Sequence, residues 1–397
     1  MIPNTGETLL PTNPSHTSNE VSLSCAIPIH PILGISGITI AWLRFREKRT
    51  SLTKCSGLFR ESYLKPTGNH YGLENLGQPD GCASSPRRRA GYGRCVKETV
   101  PTRRERDCSR FGRQILYPND DYFFSDFLAV RGLHTVVHAE NRPLDFYLDY
   151  RGSTRTLVSL HGRIPPRCTT LPYLSGRRLA EALGVNLIAV VDPTSSLGTI
   201  PCSWYLGDRE IGYGIELLSP YIRAILAAFR SETEIFFGGS GGAFAAVNFL
   251  QTFPQSSAVI TNPRLELTRR PHPDFSAYYR DAHGATTRTA RHRVFDSFIQ
   301  GRQPGDVSLG PSQRLFIYQN NNDVTYKNGQ VIPFLEERSE SSNIFVQLFD
   351  GPSGHTPPSI EDLKRVINGA FEWIEGKKPA NSGFLTPAEF LANRPDT

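Results

Sequence analysis

Short apolar runs recur along the last two thirds of the chain, separated by stretches with helical spacing. The runs are Leu133–His138 (LHTVVH), Asp145–Tyr150 (DFYLDY), Thr156–Leu160 (TLVSL), Asn186–Val191 (NLIAVV), Ile235–Phe237, Ser257–Thr261 (SAVIT), Arg314–Tyr318 (RLFIY) and Asn343–Leu348 (NIFVQL). Their length and their β-branched and aromatic content predict strands. Helices are predicted within Pro172–Leu183, starting near Ser175, and over Glu216–Arg230, Ala243–Leu250 and Ile360–Glu375. In the last, Leu363, Val366, Ile367, Phe371 and Ile374 form one apolar stripe. Strands alternating with helices predict an α/β fold, a three-layer sandwich with a mainly parallel sheet covered on both faces. In such a sheet the functional residues follow the C-terminal ends of the strands.

Two regions depart from the alternation. Residues 264–311 are rich in Arg, His and Tyr, with one predicted helix near Arg293–Gln300, and read as an insertion or cap over the sheet edge. Residues 1–113 show almost no periodicity and read as a disordered or loosely structured basic extension, leaving 114–376 as the folded domain. The tail, 377–397, is polar and expected to fray, with a short helix from Pro387.

Charge and cysteine follow the same division. The net charge of +6 is the sum of +8 on residues 1–113 and −2 on the remainder, so the basic balance is no sign of nucleic-acid binding by the domain. Five of the seven cysteines (Cys25, Cys55, Cys82, Cys95 and Cys108) lie in that first part, and only Cys168 and Cys202 lie beyond it. The odd count and the lack of a C-x-x-C pair argue against a disulfide framework and a zinc site, and for free thiols in a reducing, cytoplasmic compartment. Met1–Glu20 has neither the basic start nor the apolar core of a secretory signal. The apolar run Ile27–Leu43, followed by Arg44, Arg46, Lys48 and Arg49, has the flank of a membrane segment, but two prolines and a histidine argue against a span.

The chemistry centres on Gly238-Gly239-Ser240-Gly241-Gly242, between the strand at Ile235 and the helix at Ala243. A strand, a tight G-x-S-x-G turn and a helix make the layout that lifts a serine hydroxyl over a helix N-terminus. With 34 glycines in the chain the bare pattern is weak evidence, and a glycine-rich turn or phosphate loop is its bland rival. Placement after late strands strengthens it. Asp323 follows Arg314–Tyr318, and His355 follows Asn343–Leu348. A serine hydroxyl needs a histidine to take its proton and a carboxylate to hold the imidazole, so Ser240, His355 and Asp323 are the candidate catalytic residues. Asp350, directly after the last strand, is the alternative acid. The oxyanion would be met by the amides of Gly241 and Arg163, with Gly162 giving that loop its freedom. His161, Trp204 and Tyr205 are candidate pocket residues, each with a loop-shaping or core role as the rival, and Asp192 reads as a strand-end turn residue, with substrate contact as the alternative.

On these residues, about 130–376 resembles the α/β-hydrolase superfamily. The segments LVSLHG, Asp192-Pro193, WYLG and GGSGG are similar, more narrowly, to hydrolase-like proteins of bacterial capsule and surface-glycan synthesis. The resemblance implies a serine esterase needing no metal or organic cofactor, with a small-molecule or glycan acyl ester as substrate. Its alternatives are an O-acyltransferase and a non-catalytic component of a surface-glycan assembly or secretion complex. His161-Gly162-Arg163 departs from the His-Gly-Gly-Gly of lipases, which leaves the second oxyanion donor open.

Overall fold

The computed structural model describes residues 103–139, 142–269, 274–377 and 383–393, all within the unit Gly93–Thr397. The apolar run at 27–43 and the rest of the extension through residue 102 lie outside the described residues. Nine strands form the main sheet: β1 (Gln114–Tyr117), β2 (Gly132–His138), β3 (Arg142–Asp149), β4 (Arg155–Leu160), β5 (Asn186–Val190), β6 (Thr233–Gly239), β7 (Ser257–Thr261), β8 (Leu315–Asn320) and β9 (Ile344–Phe349). Their spatial order is β9-β8-β7-β6-β4-β5-β3-β2-β1. Only β3 runs against its neighbours, and every other pairing is parallel. Setting aside β1, this is an α/β-hydrolase-like sheet.

Alternation along each strand builds two cores. Phe146, Val158, Leu160, Ile188, Phe236 and Ile260 point to one face, where α2 (Gly214–Phe229) and α3 (Gly241–Phe249) cover them. Tyr147, Leu157, Leu187, Ile235, Phe237 and Val259 point to the other, under α1 (Arg177–Leu183) and α4 (Ile360–Ile374). Strands sandwiched in this way must be apolar at both parities, which is why their sequences read as unbroken runs. Phe236 stacks on Phe249 of α3 at 5.3 Å, both fully buried. Each such side chain contributes about 2–3 kcal/mol through burial. No helix among the described residues is long and apolar enough to cross a membrane.

Several boundaries differ from the sequence expectation. Residues 103–113 pack on the domain rather than belonging to a loose extension. Arg106 pairs with the buried Asp145 at 2.6 Å, Phe111 is buried, and Glu105–Arg106 bridges Thr170–Leu171. The tail also packs: Leu385 exchanges backbone hydrogen bonds with Val346 of β9, and Phe390 on Pro387–Ala392 is buried. Among the described residues of 264–311, Leu267, Phe275, Tyr278, Ala282 and Ile299 share one apolar cluster with Ile200, Cys202, Trp204 and Leu206, over Phe244 of α3. The helix predicted near Arg293 begins earlier, at Arg288, capped by the Thr287 hydroxyl, and continues through a wider turn to Ile299.

Candidate active site

Parallel register aligns the strand ends that carry the candidate residues. Leu160 of β4 lies opposite Gly238 of β6, Gly239 opposite Thr261 of β7, Thr261 opposite Tyr318 of β8, and Asn320 opposite Phe349 of β9. The loops after β4, β6, β8 and β9 therefore leave one edge together.

Ser240 sits at φ 53°, ψ −114°, between β6 and α3. A non-glycine residue there is strained by roughly 1–3 kcal/mol, held by packing around it. The flanking glycines supply space. A Cβ on Gly238 would lie 2.3 Å from the carbonyl of Gly242, and one on Gly242 would lie 2.3 Å from the carbonyl oxygen of Leu160. The Ser240 amide donates to Thr261 at 3.0 Å, and its carbonyl accepts from the Arg264 amide at 3.2 Å, so the strand end of β7 braces the elbow.

His355 projects from the loop after β9, and its Nδ1 meets Asp323 Oδ2 at 2.7 Å. The Asp323 carboxylate is buried and also caps the next turn by accepting from the Tyr326 amide. Asp350 instead is exposed and accepts from Asn321 at 3.1 Å, so it is not the carboxylate on His355. The Tyr326 ring stacks on the imidazole at 4.0 Å. Two residues that sequence reasoning missed hold this loop. Asn320, fully buried, donates to the carbonyls of Pro352 and Gly354 and accepts from the amides of Gly351 and Asn322. Asn262 donates to the Thr356 carbonyl at 2.7 Å and accepts from the Asn320 amide at 2.8 Å. Their only sequence signal is an asparagine at the end of a strand.

Ser240 and His355 line one cleft of about 320 Å³, with Trp204, Tyr326, Arg163 and Arg264 among its walls. No hydrogen bond joins the Ser240 hydroxyl to His355 among the described residues, a looseness common in unliganded sites. The amides of Gly162, Arg163 and Gly241 make no hydrogen bond within the described chain. Gly162 lies close to the elbow, since a Cβ on it would fall 2.7 Å from the Gly239 carbonyl oxygen and 3.6 Å from the Gly241 amide. The Arg163 guanidinium donates to the Asp274 carboxylate, at 2.8 and 3.2 Å.

Two of the candidate pocket residues stand behind the cleft rather than in it. His161 is buried, and burial lowers its pKa to about 4, so it is neutral. The Asp192 amide donates to its Nε2 at 3.1 Å, which places the proton on Nδ1, donated to the Gly162 carbonyl at 2.8 Å. A neutral imidazole with both nitrogens engaged shapes the loop and does not act as a base. Tyr205, also buried, accepts from the His161 amide and donates to the Val190 carbonyl. Asp192 is more than a turn residue. Its carboxylate accepts from the Ser203 hydroxyl at 2.6 Å and the Tyr205 amide at 2.8 Å, while burial raises its pKa to about 6. Trp204 does line the cleft and stacks on Phe275 at 4.6 Å.

No protein-family model and no curated protein matches the chain. Solved structures do. The chain is similar to the Glycosylation Associate Protein (Gap123) complex from Streptococcus agalactiae, at 14% identity and TM-score 0.42 over 63% of this chain and 47% of that one. It spans about half the length of that protein. It is similar to an S-formylglutathione hydrolase from Agrobacterium tumefaciens, at 15% identity and TM-score 0.43, covering 62% of this chain and 95% of that one. It is also similar to the capsule O-acetyltransferase of Neisseria meningitidis serogroup A, at 14% identity and TM-score 0.42, covering 59% and 95%. The fold is α/β-hydrolase-like. Strand order and strand-end positions carry that statement.

Proposed function

We propose that the chain is a serine hydrolase of the carboxylester type. The observation that supports this most is the shared cleft, lined both by a serine strained at φ 53° and by a histidine whose Nδ1 is held by a buried carboxylate. The Asp323 bond fixes the proton on Nδ1 and leaves Nε2 as the base. Ser240 Oγ attacks the ester carbonyl while His355 takes its proton. The Gly241 and Arg163 amides meet the oxyanion, and removing one such donor costs about 3–4 kcal/mol in comparable sites. His355 then protonates the departing alkoxide. Water, activated by the same histidine, releases the acyl group from Ser240. An O-acylated glycan is the substrate class suggested by the likeness of the LVSLHG, WYLG and GGSGG segments to glycan-synthesis proteins. Hydrolysis of short-chain para-nitrophenyl esters, present in the wild type and abolished in Ser240→Ala, is the test. Turnover that survives in Ser240→Ala contradicts the proposal.

A further inference from the structure

The imidazole of His355 makes one hydrogen bond among the described residues, from Nδ1 to Asp323, and 36% of the side chain is exposed. A single hydrogen bond leaves a ring free to swing about the bond axis. One face of this ring is covered by Tyr326, with centroids 4.0 Å apart and planes 29° from parallel. Two loops are tied so that the stack forms. The Gly354 amide, next to His355, donates to the Asn322 carbonyl at 3.1 Å. The Tyr326 amide donates to Asp323 Oδ1 at 3.2 Å, while Oδ2 of the same carboxylate serves Nδ1. One buried carboxylate therefore fixes both partners of the stack. The Tyr326 hydroxyl makes no hydrogen bond among the described residues, so the contact belongs to the ring. Both side chains line the cleft with Ser240.

A neutral imidazole gains little from an aromatic face beyond dispersion. An imidazolium gains more, because the ring quadrupole turns its negative face to the cation. A histidine acting as base starts neutral and carries positive charge once Ser240 Oγ has passed its proton to Nε2. An interaction that appears only with that charge lowers the barrier and leaves ground-state binding alone. Asp323 meets the charge from the edge of the ring, and Tyr326 meets it from the face. Resting on the serine-hydrolase proposal, we infer that Tyr326 is a positioning residue of this site. Its ring sets the plane of His355, and its π face stabilises the imidazolium formed when Ser240 gives up its proton. Tyr326 takes no part in bond making.

Labelling of Ser240 by a fluorophosphonate needs the same proton transfer, so its limiting rate and half-saturating concentration are measured in the full chain. Tyr326→Leu should lower the limiting rate by about five- to thirtyfold, the worth of a cation–π contact, and leave the half-saturating concentration within about twofold. Tyr326→Phe keeps the aromatic face and should retain most of the rate. Phenylalanines carrying one, two and three ring fluorines, placed at position 326, keep the shape and drain the face of negative charge. They should slow labelling stepwise, whereas a packing role alone would give a flat series. If the leucine variant does not fold, the fluorinated series carries the decision. A flat series, a loss confined to the half-saturating concentration, or Tyr326→Phe as slow as Tyr326→Leu would overturn the inference and leave the nucleophile standing. No label on the wild type, or label that persists in Ser240→Ala, would instead overturn the serine-hydrolase proposal, and this inference with it.

Discussion

At the scale of single residues, the carboxylate that serves His355 is decided by geometry. Asp323 lies 2.7 Å from Nδ1 and is buried, whereas Asp350 is exposed and bonded to Asn321. Both follow a late strand in sequence, and spacing alone left both open. A buried carboxylate fixes the tautomer and stabilises the imidazolium formed during attack. Asp323→Asn should therefore lower kcat by about 10³–10⁴, the scale seen when such an acid is neutralised in a related triad. Asp350→Asn should leave it within about twofold, as expected of a surface change. Steady-state kinetics of the two variants on one ester checks this, and the reverse ranking would refute it.

At the scale of elements, the site depends on how loops are pinned to strand ends. The loop carrying His355 has little apolar packing and is held by Asn320 and Asn262. Asn320→Ala would leave several partly buried backbone groups without their side-chain partner, at about 1 kcal/mol or less each where water replaces it. We expect a lower melting temperature and a kcat reduced by about 10- to 100-fold with KM little changed, since the variant misplaces the base and leaves the walls of the cleft intact. A variant with unchanged kcat would show that the loop holds its position without Asn320. This element also marks the limit of the sequence. The strands were legible because a strand buried on both faces must be an apolar run. β1 was not, because Leu116 on that four-residue edge strand is exposed. The short helical turns from Val324 to Glu336 were missed too, since Gly329 and Pro333 interrupt any helical pattern. Ser240, Asp323 and His355 could be nominated from the order of strands. The parts played by Asn320, Asn262 and Asp192 could not, because each depends on partners from other strands and loops.

At the scale of the whole molecule, buried titratable groups set the pH range of stability. Burial lowers His134, His161 and His283 to about 4 from an ordinary 6.5. Below pH 6.5 the unfolded chain takes up protons that the folded chain refuses, so stability falls as pH drops from 6.5 towards 4. For the deeply buried His134 and His161 the loss approaches about 3 kcal/mol each. Asp192 acts in the opposite sense. Its pKa of about 6 in the fold means that the folded chain holds a proton between pH 6 and the ordinary 3.8 that the unfolded chain has released. Burial also raises the Glu234 carboxyl, but these two acids do not offset three histidines. The melting temperature should fall steadily from pH 7 to pH 4.5, and less steeply in His161→Gln. A flat profile over that interval would show that these rings are accessible to protons in the fold.

The central claim is that Ser240 is an activated nucleophile, and labelling with a fluorophosphonate tests it most directly. The wild-type chain should gain one adduct, mapped by mass spectrometry to Ser240, and Ser240→Ala should gain none. Label that persists in the alanine variant, or a wild-type chain that takes up none, would contradict the account.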